Sequence, residues 1–371
     1  MKRNFAILVT IGLLALLAIL PVQAQDPVTI TLAAYSTPRE AYAEIIPLFQ
    51  AYWLEQSGQE VTFQESYLGS GAQSRAVEGG FEADLVALSL ENDVTRLVDA
   101  GLITHDWTAN DYAGIVHTSV VAIITRAGNP LGVTDWVSLA QPDIEVVTPD
   151  AATSGGARWN IMAAYGAAFR GHVEGYEASD AGARQLLHDI FANVSVMDAG
   201  ARESIVTFEN GIGDAAITYE NEYYAAQSAG ADIEIAYPSS TILIENPVAL
   251  VDTYVDAHGT REVTEAFIQF LYTPEAQAIF AAHGFRPPVL KSAGGEATPE
   301  AAATTDAATT EEASSEARTF WPEGTLDLTR FPAILDLFTI EDFGGWGEVT
   351  PTFFGDDGVY AQVIAEVQAG G

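Results

Sequence analysis

Three short stretches place small residues where a chain can bring bare backbone against a ligand: Ser36-Thr37-Pro38, Gly69-Ser70-Gly71 and Ser154-Gly155-Gly156. Each follows a strand-like run and precedes a helical pattern. A helix start carries N–H groups without intrahelical partners and a partial positive charge. Several starts aimed at one point make an anion site that needs no lysine or arginine. Taken singly, each stretch reads as an ordinary capping turn. Three of them, all on the edge of an α/β sheet where ligands bind, make anion binding a serious competitor. Other chemistry finds little support. Ser154 stands outside a Gly-x-Ser-x-Gly elbow, so it does not read as a hydrolase nucleophile. "GSGAQSRA" (69–76) lacks both the Gly-Lys-Ser/Thr ending of a P-loop and the three-glycine dinucleotide fingerprint. The histidines (His105, His117, His172, His188, His258 and His283) show no i, i+4 metal pairing. No metal, cofactor or catalytic group is expected.

The elements that hold these stretches follow from apolar periodicity. "VTITLAAY" (28–35) reads as a strand and "PREAYAEIIPLFQAYWLEQ" (38–56) as a helix, with Ala41, Ile45, Phe49 and Trp53 at helical spacing. Pro38 suits its first turn, with Ser36 or Thr37 as cap. Strand-like runs continue at 61–67, 83–90, 117–126, 144–150, 194–199, 214–220 and 233–238. A helix over 157–170 presents Ile161, Tyr165 and Phe169 on one face. Strands alternating with helices predict an α/β fold with mainly parallel sheets. The 371 residues suffice for two lobes.

Composition narrows the function. There are 51 Asp and Glu against 15 Lys and Arg, a formal net charge of -36, which argues against nucleic acid as a partner. The chain has no cysteine, hence no disulfide frame and no lipid attachment through one. Lys2 and Arg3, the apolar run from Phe5 to Leu20, Pro21 and the small-residue end at Ala24 form a signal-peptide pattern over 1–24. Cleavage after Ala24 and an exported, soluble, monomeric protein are expected. The segment 292–318 is rich in Ala, Thr, Glu and Ser, with almost no large apolar residues, and reads as a flexible surface insertion.

Longer motifs then carry a resemblance. "YSTPREAY" (35–42), "AYWLEQSGQEVTFQESYLGSGAQSRAV" (51–77), "EADLVALSL" (82–90), "TPDAATSGGARWN" (148–160), "DAGARES" (198–204), "GIGDAAITYENE" (211–222) and "LFTIEDFGGW" (337–346) are similar to the periplasmic sulfate-binding proteins that feed ATP-binding-cassette importers. The likeness runs from about Ile30 to about Tyr360, interrupted by 292–318. It implies a two-lobed periplasmic-binding-protein fold of type II kind, closing on a dehydrated sulfate held by neutral donors. The first lobe is expected over 26–116, the second over 117–244, and the return to the first plus a C-terminal segment over 245–371.

Carried onto matching positions, the resemblance implies main-chain donors at Ser36, Ser70, Gly155, Gly156 and Ala201, and a hydroxyl donor at Ser154. The family's indole position falls on Tyr219, because Ala-Trp-Glu-Asn-Glu reads Thr-Tyr-Glu-Asn-Glu here; the family's usual Asp is Ser36. A main-chain donor survives the second change. A tyrosine oxygen donates but also accepts, so weaker rejection of protonated phosphate is expected than from an indole. Arg158 is expected to bond outward to backbone carbonyls of the site, although a plain surface role fits its position nearly as well. Thiosulfate, molybdate and phosphate remain alternative anions. An enzyme acting on a sulfated or phosphorylated substrate, or a carbohydrate-binding protein, fits the small-residue stretches less well.

Overall fold

The computed structural model describes residues 26–291, 320–321 and 326–370. The segments 1–24 and 292–318, read above as a signal peptide and an insertion, lie outside the described residues.

Strand β1 (Val28–Tyr35) is apolar on both faces over most of its length, as a parallel strand covered on both sides must be. Ile30, Leu32 and Ala34 pack with Tyr42, Ile45 and Phe49 of helix α1 (Arg39–Ser57). Ala33 points the opposite way and packs among Val77, Val86 and Leu97. The strand's period of two makes both contacts at once. Helix α1 has Pro38 itself at its cap, without a side-chain cap bond, so neither Ser36 nor Thr37 caps it through its hydroxyl. Strand β2 (Val61–Leu68), helix α2 (Ser70–Glu78), strand β3 (Leu85–Ala87) and helix α3 (Glu91–Asp99) complete this half. β1 pairs parallel with both β2 and β3.

Strand β4 (Ile115–Arg126) leads into a second half. There follow α4 (Trp136–Leu139), β5 (Val146–Pro149), α5 (Gly155–Phe169), α6 (Asp180–Phe191), β6 (Val194–Asp198), α7 (Ala201–Glu209), β7 (Ala215–Tyr219), α8 (Glu220–Ser228) and β8 (Ile233–Ala236). β5 repeats the device of β1. Val146 faces a core with Trp159, Met162 and Leu186, and Val147 faces one with Ile124, Ile205 and Phe208. Strand β9 (Ser240–Leu250) returns the chain, and α9 (Asp252–His258), α10 (Arg261–Leu271) and α11 (Pro274–Ala282) follow. Phe267, Phe270 and Phe280 of these helices join the core of Tyr42 and Phe49. Strand β10 (Asp336–Phe338), a 3-10 turn (Ile340–Phe343), α12 (Gly345–Phe354) and α13 (Val359–Gly370) come last. Their Phe338, Trp346, Phe353 and Val363 pack into the second core, with Trp159 and Tyr165.

The strands run β2-β1-β3-β9-β4-β7-β5-β6, with β10 on β9 and β8 on β4. β4 and β9 are antiparallel to each other and to β7, β8 and β3. The sheet is therefore mixed, not mainly parallel. The reason is connectivity: β4 carries the chain from the first half to the second and β9 carries it back. Residues 115–120 of β4 pair with β9, whereas 121–126 pair with β7 and β8. Both strands thus run continuously through the places, 116/117 and 244/245, where the sequence reading put lobe boundaries. β9 and β10 are absent from the sequence reading. Asn246 and Pro247 break the apolar run of β9, and Pro247 sits beside a register shift at Ile115.

Candidate anion-binding site

The carboxyl ends of β1, β2, β3, β5, β6 and β7 lead through short turns or directly into helices, and these junctions meet between the halves. Tyr35, Ser36, Thr37, Gly69, Ser70 and Ser89 come from the first half. Ser154, Gly156, Ala201 and Tyr219 face them from the second. Together they line one cavity, and none of them is charged. The space is about 10 Å3, room for about one water.

Six of the seven expected residues line this cavity: Ser36, Ser70, Ser154, Gly156, Ala201 and Tyr219. Gly155 does not. A Cβ built on it would lie 2.7 Å from Ser89 Oγ and 2.9 Å from Leu90 Cγ, so its Cα abuts the opposite wall. Gly156 is glycine for a different neighbour: its Cβ would lie 2.7 Å from Tyr219 Cε2. The two glycines let two walls and a ring come together. Gly69 plays the same part opposite, where a Cβ would meet the Thr153 and Ala199 carbonyl oxygens at 2.7 and 2.8 Å.

Helices α2, α5 and α7 begin at Ser70, Gly155 and Ala201, each pointing its positive end at the cavity. The N–H groups of Ser70, Gly155, Gly156 and Ala201 have no acceptor among the described residues. The hydroxyls are divided between jobs. Ser70 Oγ accepts from Ser89 N–H at 2.9 Å and donates to Asp93 at 2.5 Å, which leaves Ser70 only its main-chain donor for a ligand. Burial pushes the Asp93 carboxyl up from its ordinary pKa, against the pull of that hydrogen bond. Ser154 Oγ accepts from Ala157 N–H at 3.3 Å as the α5 cap and keeps its own proton free. Tyr219 is buried and its hydroxyl lies 2.6 Å from Ser89 Oγ. Burial raises the phenol pKa, so the proton stays on.

Positive charge stands one layer back. Arg158 Nε donates to Ala151 O at 3.1 Å, the outward bond to a loop carbonyl expected of it. Arg75 Nη2 donates to Ala152 O at 3.1 Å, and Arg202 Nη2 to Thr37 O at 3.3 Å. Each fixes a peptide in a loop that leads to the cavity. Arg202 also joins the halves, bonding Glu40 at 2.7 and 3.0 Å and Glu222 at 2.7 Å. Thr37 and Gly69 line the cavity within stretches that the sequence singles out, whereas sequence reasoning missed Ser89 and Tyr35 as lining residues. Ser89 was the findable one: a lone hydroxyl at the carboxyl end of an apolar run, inside a motif that was already conspicuous.

Two α/β halves that enclose a cleft lined by uncharged hydrogen-bond donors define a solute-binding protein. A model of the bacterial extracellular solute-binding proteins matches residues 30–286, and the chain belongs to that family. Within it, the chain is 43% identical over 341 residues to the sulfate-binding protein of Synechococcus elongatus, covering 91% of this chain and 87% of that one. It is 36% identical over 358 residues to the sulfate-binding protein of Escherichia coli strain K12, covering 95% and 98%. Among solved structures, the sulfate-binding protein SubI from Mycobacterium tuberculosis matches at 34% identity and a TM-score of 0.73, covering 88% of this chain and 99% of that one. No helix among the described residues is long and apolar enough to cross a membrane.

Proposed function

We propose that this chain captures sulfate outside the cytoplasm and hands it to the membrane permease of an ATP-binding-cassette importer, without catalysis. The observation that carries the reading is the cavity wall itself: helix N-termini and hydroxyls from both halves, with no charged side chain among them. Such a wall suits an anion that offers only acceptors. Main-chain N–H groups of Ser36, Ser70, Gly156 and Ala201, with the hydroxyls of Ser154 and Tyr219, form the donor shell, and the resemblance adds the N–H of Gly155, which has no acceptor among the described residues although Gly155 does not line the cavity. A dianion gives up hydration worth tens of kcal/mol. Hydrogen bonds to a charged group return roughly 1.5–3 kcal/mol net each. About seven of them support a Kd at or below about 1 μM, near -8 kcal/mol.

Phosphate near neutral pH keeps a proton that a wall of donors cannot accept, at a cost of about 1–3 kcal/mol. The lobes are 26–116 and 117–244, with α9 to α11 returning to the first and 336–370 closing over the second. The signal peptide leaves after Ala24, and the mature protein acts as a monomer.

An anion bridging the two halves must draw them together. Small-angle scattering on the mature protein is expected to give a smaller radius of gyration with sulfate than without it. An unchanged radius at saturation contradicts the bridging arrangement.

A further inference from the structure

Ser89 is held by its backbone from three directions. Its N–H donates to Ser70 Oγ at 2.9 Å, and its carbonyl accepts from Trp159 Nε1 at 3.0 Å and Asn246 Nδ2 at 3.2 Å. What remains free to act is the hydroxyl, and it lies 2.6 Å from Tyr219 Oη. Both residues line the cavity, from opposite halves, and each is 1% exposed. No other side-chain hydrogen bond joins two lining residues across the cleft among the described residues.

We propose that Ser89 is an affinity-determining residue that acts through Tyr219: the two hydroxyls form a two-link donor chain that delivers one proton to the bound anion. This rests on the sulfate reading above. Two hydroxyls carry two protons. Whichever oxygen donates, one proton fills the bond between them and the other is left for the cavity. A dianion turns the free proton toward itself, and the chain behind it becomes polarised. The hydroxyl facing the anion accepts from its partner while it donates, which makes it a better donor than either hydroxyl alone. Its lone pair on that side is taken, so the pair behaves toward the anion as a donor. An indole N–H has no lone pair to fill and needs no such backing. Ser89 therefore belongs with a tyrosine at position 219. The bond also spans the cleft, so it forms only as the walls meet.

The test is a cycle of sulfate titrations on the full mature chain: the parent, Ser89→Ala, Tyr219→Phe, both together, and Tyr219→Trp with and without Ser89→Ala. Tyr219→Phe is expected to raise the Kd roughly tenfold, Ser89→Ala to raise it by less because the unbacked phenol still donates, and the pair together no more than Tyr219→Phe alone. In the Tyr219→Trp background, Ser89→Ala is expected to cost nothing. Urea midpoints without sulfate are expected to match the parent for Ser89→Ala and Tyr219→Phe, which separates lost binding from lost folding. Should the larger ring prevent folding, the phenylalanine cycle decides alone. A parent that binds sulfate while Ser89→Ala leaves the Kd unchanged overturns this inference only. So does a Ser89→Ala loss that persists undiminished beside phenylalanine. A parent that takes up no sulfate overturns this inference and the proposed function together.

Discussion

Gly156→Val is expected to abolish sulfate binding in a chain that still folds. Even a single Cβ at this position would approach Tyr219 Cε2 to 2.7 Å, with Ala201 Cβ and Ser154 Oγ both at 3.3 Å. The ring cannot retreat cheaply, because it is buried and its hydroxyl is tied to Ser89. Valine adds two methyl groups to the same space. They must displace Tyr219, spread α5 from α7, or fill the cavity. Each outcome takes donors away from the anion. Losing two charge-assisted bonds at roughly 1.5–3 kcal/mol each predicts a hundredfold loss or more. The overpacking costs about 1–3 kcal/mol of stability, which a chain of this size withstands. Calorimetric titration with circular dichroism on the same sample checks both halves. Normal sulfate affinity in this variant contradicts the assignment of the glycine wall.

Arg286→Met is expected to produce the largest stability loss. Arg286 is 1% exposed and Glu220 is fully buried. They pair through two bonds, at 2.7 and 2.9 Å. Pro332 O takes a further arginine N–H at 3.2 Å, and Tyr237 donates to Glu220 Oε1 at 2.7 Å. The Trp321 and Phe331 rings lie 5.5 Å from the guanidinium carbon. A pair so well satisfied is close to neutral against apolar substitutes, but a lone buried carboxylate is not. Removing the arginine alone should cost about 3–5 kcal/mol, and adding Glu220→Gln should recover part of it. Urea unfolding of the single and double variants measures this through the midpoint at constant slope. A midpoint equal to the parent's for Arg286→Met would mean that Glu220 finds water or another partner. The pair matters to the site because Glu220 follows Tyr219 and opens α8.

The elements that position the site were largely legible, because periodicity and small-residue junctions are local signals. The run 28–35 is β1 to the residue, and the expected helix at 157–170 is α5 two residues early. The reversal of direction at β4 and β9 was not legible. It depends on which strands the chain joins, and Pro247 disguised the returning strand. At the site, the resemblance supplied the seven positions, and six of them meet at one cavity. The separate jobs of Gly155 and Gly156 are set by Ser89 and Tyr219, residues far away in sequence. The carbonyl clamps of Arg75 and Arg202 were also hidden, since Ala152 and Thr37 come near only when the halves meet.

Uncharged donors from two lobes are expected to hold a fully ionised oxyanion. Calorimetric titration of the purified mature protein with sulfate, and separately with phosphate at the same neutral pH, tests it most directly. One sulfate per chain is expected, with a Kd near or below about 1 μM, and phosphate weaker by roughly tenfold or more. No heat with sulfate, or phosphate bound as tightly as sulfate, would contradict it.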